Sequence, residues 1–419
     1  MSDTQTDITP TETRPSETVK LTIGTREFVT MMAAIFGLQA LGIDIMLPAL
    51  EQIGDFYQIA NPNDQQWIVV AFVLGFGFPQ LIWGPIADRY GRKILLQCSL
   101  IGYAVFGLAC MFAPTFELLL LFRLLQGISC SGTRVSAGAI IRDVSAGRQM
   151  ARIMSLVFTV FMIVPILAPG IGTIVIVLLG WPWTFGVLGV FALLVFTWTS
   201  FRLPATMREP RPINLSNIVE GFRRVLSHRT SFGYMCASGV IFGSLFAFIA
   251  ASEQIFDEVF GRGDMFWAYF AGIAGGLAVM NYLNSRIVER FGMRRISHTM
   301  VMIFIASSFI NLAYMNLFGE NFWVFYALFI VAFACFGMMG ANFASLALEP
   351  MGDVAGTANA VYGFFTSTGA SLIGLAIAQQ FNGTVIPILM GYVCLGLVSL
   401  GIILITERGK LFEIGPGKT

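Results

Sequence analysis

Along this chain long apolar runs alternate with short polar intervals. The runs cover about 28–50, 66–87, 93–113, 116–140, 150–175, 180–201, 232–254, 265–285, 298–317, 322–347, 355–380 and 384–405. Each is near the ~20 residues that an α-helix needs to cross the hydrocarbon layer of a bilayer. In that layer the backbone must satisfy its own hydrogen bonds, which a helix does within one segment. The pattern therefore predicts an all-α membrane protein with twelve transmembrane helices. Residues 1–26 are polar, rich in Thr, Glu and Ser, and read as a flexible tail rather than a signal peptide.

Composition narrows the class. Of 419 residues, 56% are hydrophobic and 12% charged, against ~45–50% and ~25% in soluble domains. Such a chain cannot cover its outside with polar groups, which excludes a water-soluble enzyme and a disordered chain. A net charge of +1 gives no basic field for nucleic acid. Cation placement then sets the orientation. The two tails and connections 2–3, 4–5, 6–7 and 8–9, numbered by the runs they join, hold 22 of the 25 Lys and Arg. The opposite connections hold Arg262 alone, and Arg123 and Arg134 remain inside the fourth run. Because cytoplasmic loops collect cations, both termini are predicted cytoplasmic. Connection 10–11 departs from this rule, with Glu349 and Asp353 and no cation.

The segment Gly84 to Lys93 (GPIADRYGRK) recurs more loosely as Ser285 to Arg294 (SRIVERFGMR), 201 residues later. Acid, Arg, aromatic and Gly keep their order, and each copy lies between the second and third run of its half. Internal repeats of this kind mark many transporters. The predicted organisation is a cytoplasmic tail (1–26), a six-helix bundle (27–201), a cytoplasmic linker (202–231), a second six-helix bundle (232–405) and a cytoplasmic tail (406–419). In the linker Ile218, Phe222, Val225 and Leu226 repeat at helical spacing, which reads as an interfacial helix. Six cysteines lie scattered in apolar runs and read as small buried hydrophobes. His228 and His298 sit in basic loop context and read as solvated. No metal or cofactor is expected.

Specific motifs carry a resemblance. Gly84 to Lys93 resembles the loop 2–3 signature of the major facilitator superfamily, and Arg123-Leu-Leu-Gln126-Gly127 its span-four signature. Pro165-Ile-Leu-Ala168-Pro169-Gly170-Ile171-Gly172 is similar to the antiporter signature of drug exporters, with Ala168 and Thr173 where glycines are usual. Asp44-Ile-Met-Leu-Pro48 and Ile141-Arg142-Asp143 resemble the bicyclomycin/chloramphenicol-resistance branch of the drug:proton antiporters. The resemblance covers about residues 27–405. It implies two pseudo-symmetric six-helix bundles around one cavity, alternating access, and proton-coupled efflux of amphipathic drugs. It also implies a monomer in the bacterial cytoplasmic (inner) membrane, with protons, a small-molecule substrate and the lipid bilayer as its partners. A proton-coupled or facilitative importer of a small metabolite on the same fold is the alternative. A channel or membrane sensor is a more distant one.

Asp44 stands first among the candidate residues, because a carboxylate within a span costs about 2.5–3.5 kcal/mol on insertion scales. It lies about 17 residues into span one, and Arg123 six to eight residues into span four from the other side. At ~1.5 Å per residue their depths agree within a turn. They form a candidate proton-coupling pair; a purely structural salt bridge is the alternative. Arg123, Gly127, Ser131 and Arg134 share a stripe of span four, read as a wall of the cavity. The expected substrate cavity thus holds Asp44, Arg123, Gln126, Arg134 and Glu253, with Glu253 alternatively a solvated acid at the outer interface. Phe36 stands where related antiporters carry a second acid. Phe72, Phe76, Phe158, Phe161 and Tyr362 are candidate apolar lining.

Gly84, Asp88, Arg89, Gly91, Arg92, Lys93 and Asp143 are the expected cytoplasmic gate, with Asp143 pairing Arg92 and, by resemblance, Asp88 facing the start of span eleven. Pro165, Pro169, Gly170 and Gly172 are expected to bend span five, since proline removes a helix hydrogen bond.

Overall fold

The computed structural model describes residues 23–145, 147–204 and 215–412, and every element in them is a helix. Most of the N-terminal tail, residues 205–214 of the linker and residues 413–419 lie outside the described residues, as do the side chains of Phe158, Phe161 and Asp353.

Helices fall on all the apolar runs. The first half comprises α1 (Thr25–Asp44), α2 (Leu50–Tyr57), α3 (Trp67–Gly77), α4 (Gln80–Tyr90), α5 (Arg92–Met111), α6 (Phe116–Val144), α7 (Gly147–Leu179) and α8 (Pro182–Arg202). Helix α9 (Leu215–Ser227) lies in the linker. The second half comprises α10 (Arg229–Gln254), α11 (Phe266–Phe291), α12 (Met293–Phe318), α13 (Phe322–Leu348), α14 (Ala355–Phe364), α15 (Ala370–Ala378) and α16 (Ile386–Thr406). Among the described residues nine segments are long and apolar enough to cross a membrane singly. The pair Pro62–Gly77 and Gln80–Tyr90, bent by 45°, makes a tenth.

Three runs are broken, each for a local reason. Helix α1 stops at Asp44 and passes through a 3-10 turn, Leu47–Ala49, in which Pro48 cannot donate a backbone hydrogen bond. The second run breaks at Phe78 and Pro79. The eleventh passes from α14 to α15 through a single π-turn, Phe365–Gly369, a deformation common at functional sites.

The two halves pack alike. In the first, α5 packs on α6, α3 on α6, α5 on α8 and α1 on α7; in the second, α12 packs on α13, α11 on α13, α12 on α16 and α10 on α15. Close approach uses glycine. A Cβ on Gly75 would sit 2.0 Å from the Leu124 carbonyl oxygen, and one on Gly127 2.0 Å from that of Phe72. The α3 and α6 backbones therefore touch, as small residues allow in a membrane.

The repeated segments form one and the same turn. Gly91 has φ 103 and ψ 133, Gly292 φ 79 and ψ 147, a region essentially reserved for glycine. Each glycine N–H closes the preceding helix, to Ala87 O at 3.1 Å and to Val288 O at 2.8 Å. Each carbonyl accepts the first bond of the next helix, from Leu95 N at 3.1 Å and Ile296 N at 3.2 Å.

Helix α9 packs on α10 and α14, burying Val225 and half-burying Ile218 and Phe222 while Val219 and Leu226 stay exposed. One expectation is corrected. His298 is fully buried rather than solvated. Its ring lies 3.0 Å from the Tyr234 hydroxyl and accepts from Phe412 N at 3.3 Å, because the segment after α16 folds back over it. His228 instead caps α10, accepting from Ser231 N.

Candidate central cavity

A cavity of about 360 Å³ lies between the halves, within the ~300–1,000 Å³ range usual for small-molecule sites. The first half lines it from α1 (Gln39, Ala40, Ile43, Asp44), α3 and α4 (Phe76, Gln80), α6 (Arg134) and α7 (Pro165). The second half contributes Phe242, Phe246, Phe248, Phe270, Phe333 and Phe336 with aliphatic neighbours, and Gly363, Thr366 and Ser367 at the π-turn. The charged lining residues are Asp44 and Arg134.

Asp44 is 4% exposed and is the last residue of α1. Its place follows from the break at Pro48, which ends the helix next to the cavity. Among the described residues no hydrogen bond or ion pair to its carboxylate is recorded. Arg134 packs its guanidinium over the rings of Phe36 (5.7 Å) and Phe76 (5.6 Å) and donates to the Gln39 side-chain oxygen. The position lacking the second acid thus holds a ring under a cation.

Arg123 is not paired with Asp44. It is fully buried, and its three nitrogens donate to Gly42 O at 2.8 Å, Ile68 O at 3.1 Å and Gln126 Oε1 at 2.8 Å. The Phe72 ring lies 4.5 Å from its guanidinium carbon. The physical cause is the end of α1: a terminating helix leaves carbonyls without intrahelical partners, and a nearby arginine satisfies them and complements the helix dipole. Arg123 and Gln126 therefore lie behind the cavity wall, bracing the turn that carries Asp44. The shared stripe of span four packs against α3 at Gly127 and reaches the cavity only at Arg134.

Glu253 does not line the cavity either. It is 9% exposed near the end of α10, where carboxylate oxygens of Glu51, Glu253 and Asp257 lie within 4.8 Å of one another. It stands closer to the alternative reading, an acid near the end of the span, but it is buried rather than solvated; α10 continues beyond it into a π-turn over Ile255–Val259.

The expected gate residues gather, but within one half. Arg92 donates to Asp88 Oδ1 at 3.2 Å and to Ala139 O at 2.9 Å, and pairs with Asp143. Lys93 donates to Ser200 O at 3.2 Å. These bonds tie α4, α5, α6 and α8 together; Arg89 is exposed, and Gly84 has open space where a Cβ would lie. Asp88 meets Arg92 in its own half, and no bond from the start of α14 to Asp88 is recorded among the described residues. Helix α7 runs unbroken through Pro165 and Pro169. Its tightest contact is Gly172, where a Cβ would sit 2.0 Å from the Ile45 carbonyl oxygen, beside Asp44. Gly170 has only Trp267 nearby, at 3.8 Å.

Sequence reading missed Gln39 and Gln80, polar cavity residues whose only signal was an amide inside an apolar run.

Comparison with known proteins decides the family. The profile of the Major Facilitator Superfamily matches residues 29–375. The chain belongs to the major facilitator superfamily. It is a multi-pass membrane transporter of small molecules, not an enzyme. As a superfamily member it is 28% identical over 390 residues to a bicyclomycin resistance protein homolog of Haemophilus influenzae, covering 91% of this chain and 96% of that protein. It is 24% identical over 257 residues to the chloramphenicol resistance protein CraA of Acinetobacter baumannii, covering 60% and 61%. Among solved structures, a D-xylose–proton symporter aligns with TM-score 0.72 at 14% identity, covering 94% of this chain and 99% of that one. A bacterial homolog of the lysosomal transporter Spinster, inward-facing and occupied, aligns with TM-score 0.67 at 15% identity, covering 93% and 98%. These two share the fold of the superfamily.

Proposed function

We propose that this transporter exports amphipathic small molecules from the bacterial cytoplasm in exchange for protons, by alternating access across the inner membrane. In this reading it has twelve spans with both termini cytoplasmic, and it works as a monomer, since one chain supplies every wall of the cavity. The observation that carries the reading is Asp44: a carboxyl group on the wall of a largely aromatic cavity built by both halves. A proton and a cargo group compete for such a site. The aromatic walls favour a flat, apolar body over a polyhydroxylated sugar. The names of the relatives, bicyclomycin resistance, chloramphenicol resistance and multidrug resistance, support a drug-like cargo and outward transport over import of a metabolite.

The test starts with growth of an efflux-deficient bacterial host expressing the protein, across a panel that includes chloramphenicol and cationic dyes. The compound to which resistance rises is then used in proteoliposomes with an imposed pH gradient. Wild type is expected to concentrate it against its gradient. Asp44→Asn, which keeps shape but cannot titrate, is expected to equilibrate it only. Full uphill transport by Asp44→Asn would refute proton coupling through this residue.

A further inference from the structure

We propose that a ring of four neutral amides, Asn63 and Gln66 from the first half with Gln254 and Gln379 from the second, is the latch that shuts the outer end of the cavity. Its strength sets how often the transporter opens outward. The inference rests on the alternating-access reading.

The four side chains lie at the ends of α3, α10 and α15 opposite the Gly91 and Gly292 turns. Three are within 9% exposure, and Gln379 is half-buried. All but one of their hydrogen bonds cross between the halves. Gln66 Nε2 donates to Gln254 Oε1 at 2.9 Å and to Ala378 O at 3.1 Å. Gln254 Nε2 donates to Asn63 Oδ1 at 3.1 Å and to Glu258 Oε1 at 3.2 Å. Asn63 Nδ2 donates to Phe381 O at 2.9 Å and Gln379 O at 3.2 Å. Gln379 Nε2 closes the ring, donating to Asn63 O at 2.8 Å and Gln66 Oε1 at 3.2 Å.

An amide offers two N–H donors, and each of these four amides uses both. Seven of the eight bonds link one half to the other; the bond to Glu258 stays within the second. Buried networks of this completeness are rigid, and a half-satisfied one is costly. Separation of the halves at this end admits water, which replaces every lost partner. The latch is thus strong when dry and cheap to leave when wet, the property a reversible gate needs. None of the four side chains titrates, so the ring itself carries no charge through the cycle.

A staple that only holds the fold together would use the same bonds, and hydrogen exchange separates the two. Gln254→Met and Gln66→Met keep side-chain volume and remove the amide. In full-length protein in lipid nanodiscs, exchange is followed in peptides covering 59–67 and 376–384 at the latch, and 84–95 and 350–360 at the opposite end. Each lost bond is worth about two- to tenfold in an open-to-closed ratio. The expected result is exchange faster by about that factor per lost bond at the latch, with slower exchange at the opposite end. Faster exchange at both ends would mean a structural staple and overturn the proposal, as would no change at either.

Faster exchange at the latch with no change opposite would support the latch while counting against alternating access. A second measurement does not depend on the Met variants folding. In an Asn63→Cys, Gln379→Cys protein with its six native cysteines replaced, a short bifunctional thiol reagent is expected to stop transport of the resistance-panel compound. Undiminished transport by the cross-linked protein would overturn the latch. Coupling is read separately in Asp44→Asn with the latch intact, so failure of the proton reading leaves these signs unaltered.

Discussion

Gly172 offers the sharpest test of how α7 supports the carboxyl site. A methyl group there would lie 2.0 Å from the Ile45 carbonyl oxygen, whereas ordinary contact begins at 3.4 Å. Gly172→Ala must therefore push α7 and the end of α1 apart by up to 1.4 Å, and the obstacle is backbone, which cannot rotate away as a side chain can. Overpacking of this kind costs about 1–3 kcal/mol. Replacing a mid-helix glycine by alanine returns about 0.5–1 kcal/mol, leaving a net loss of up to about 2.5 kcal/mol. Gly170→Ala is the internal control. It lies on the same helix with the same propensity gain, but its new methyl meets only Trp267 at 3.8 Å. Thermal unfolding in one detergent should show Gly172→Ala below wild type and Gly170→Ala at or above it. Uptake in proteoliposomes should fall for Gly172→Ala alone, because the displaced backbone carries Asp44 on the adjoining residue. Identical behaviour of the two variants in both assays would refute the close α1–α7 contact as a determinant of the site.

Three further outcomes are expected. Arg123→Lys keeps the charge but loses the fork that reaches Gly42 O, Ile68 O and Gln126 together; charge-assisted bonds of ~1.5–3 kcal/mol each make a fall in thermal stability the expected result, and an unshifted melting curve would contradict it. Arg134→Gln removes a cation stacked on Phe36 and Phe76, worth about 0.5–2 kcal/mol per ring, and should raise KM for the transported compound more than it lowers the maximal rate in a concentration series. Glu407 lies just past α16: burial pushes its carboxyl up, but hydrogen bonds from Arg294 at 2.7 Å and Tyr234 at 2.7 Å more than offset this and hold it below its ordinary value of 4.5. A depressed carboxylate contributes stability above its unfolded-state value and loses it as pH falls towards the folded one, so melting temperature should drop below about pH 4.5 in wild type and this drop should flatten in Glu407→Gln.

The helices were legible from sequence because hydrocarbon leaves so few solutions for the backbone: all the apolar runs carry helix, and the repeat at Gly91 and Gly292 reappears as one turn made twice. Asp44 was legible for a related reason, since an acid inside an apolar run needs a cavity to face. The partner of Arg123 was not. Its acceptors are carbonyls of Gly42, freed where α1 stops, and of Ile68 in the first turn of α3, and backbone acceptors of this kind leave no mark in side-chain identity. Glu253 stayed between two readings, cavity acid or interface acid, because a position near the end of a run does not say which neighbours close over it. The amide ring escaped notice because Asn63, Gln66, Gln254 and Gln379 sit at run ends, where polar residues look like ordinary loop composition until two distant halves are brought together.

The pair of turns at Gly91 and Gly292 has a consequence for the repeat. Both occupy backbone angles that side chains rarely adopt, so a substitution at either is strained whatever space surrounds it. The cavity walls carry no such backbone constraint. The likeness of the two halves is thus pinned by backbone geometry at these elbows and not in the lining of the cavity.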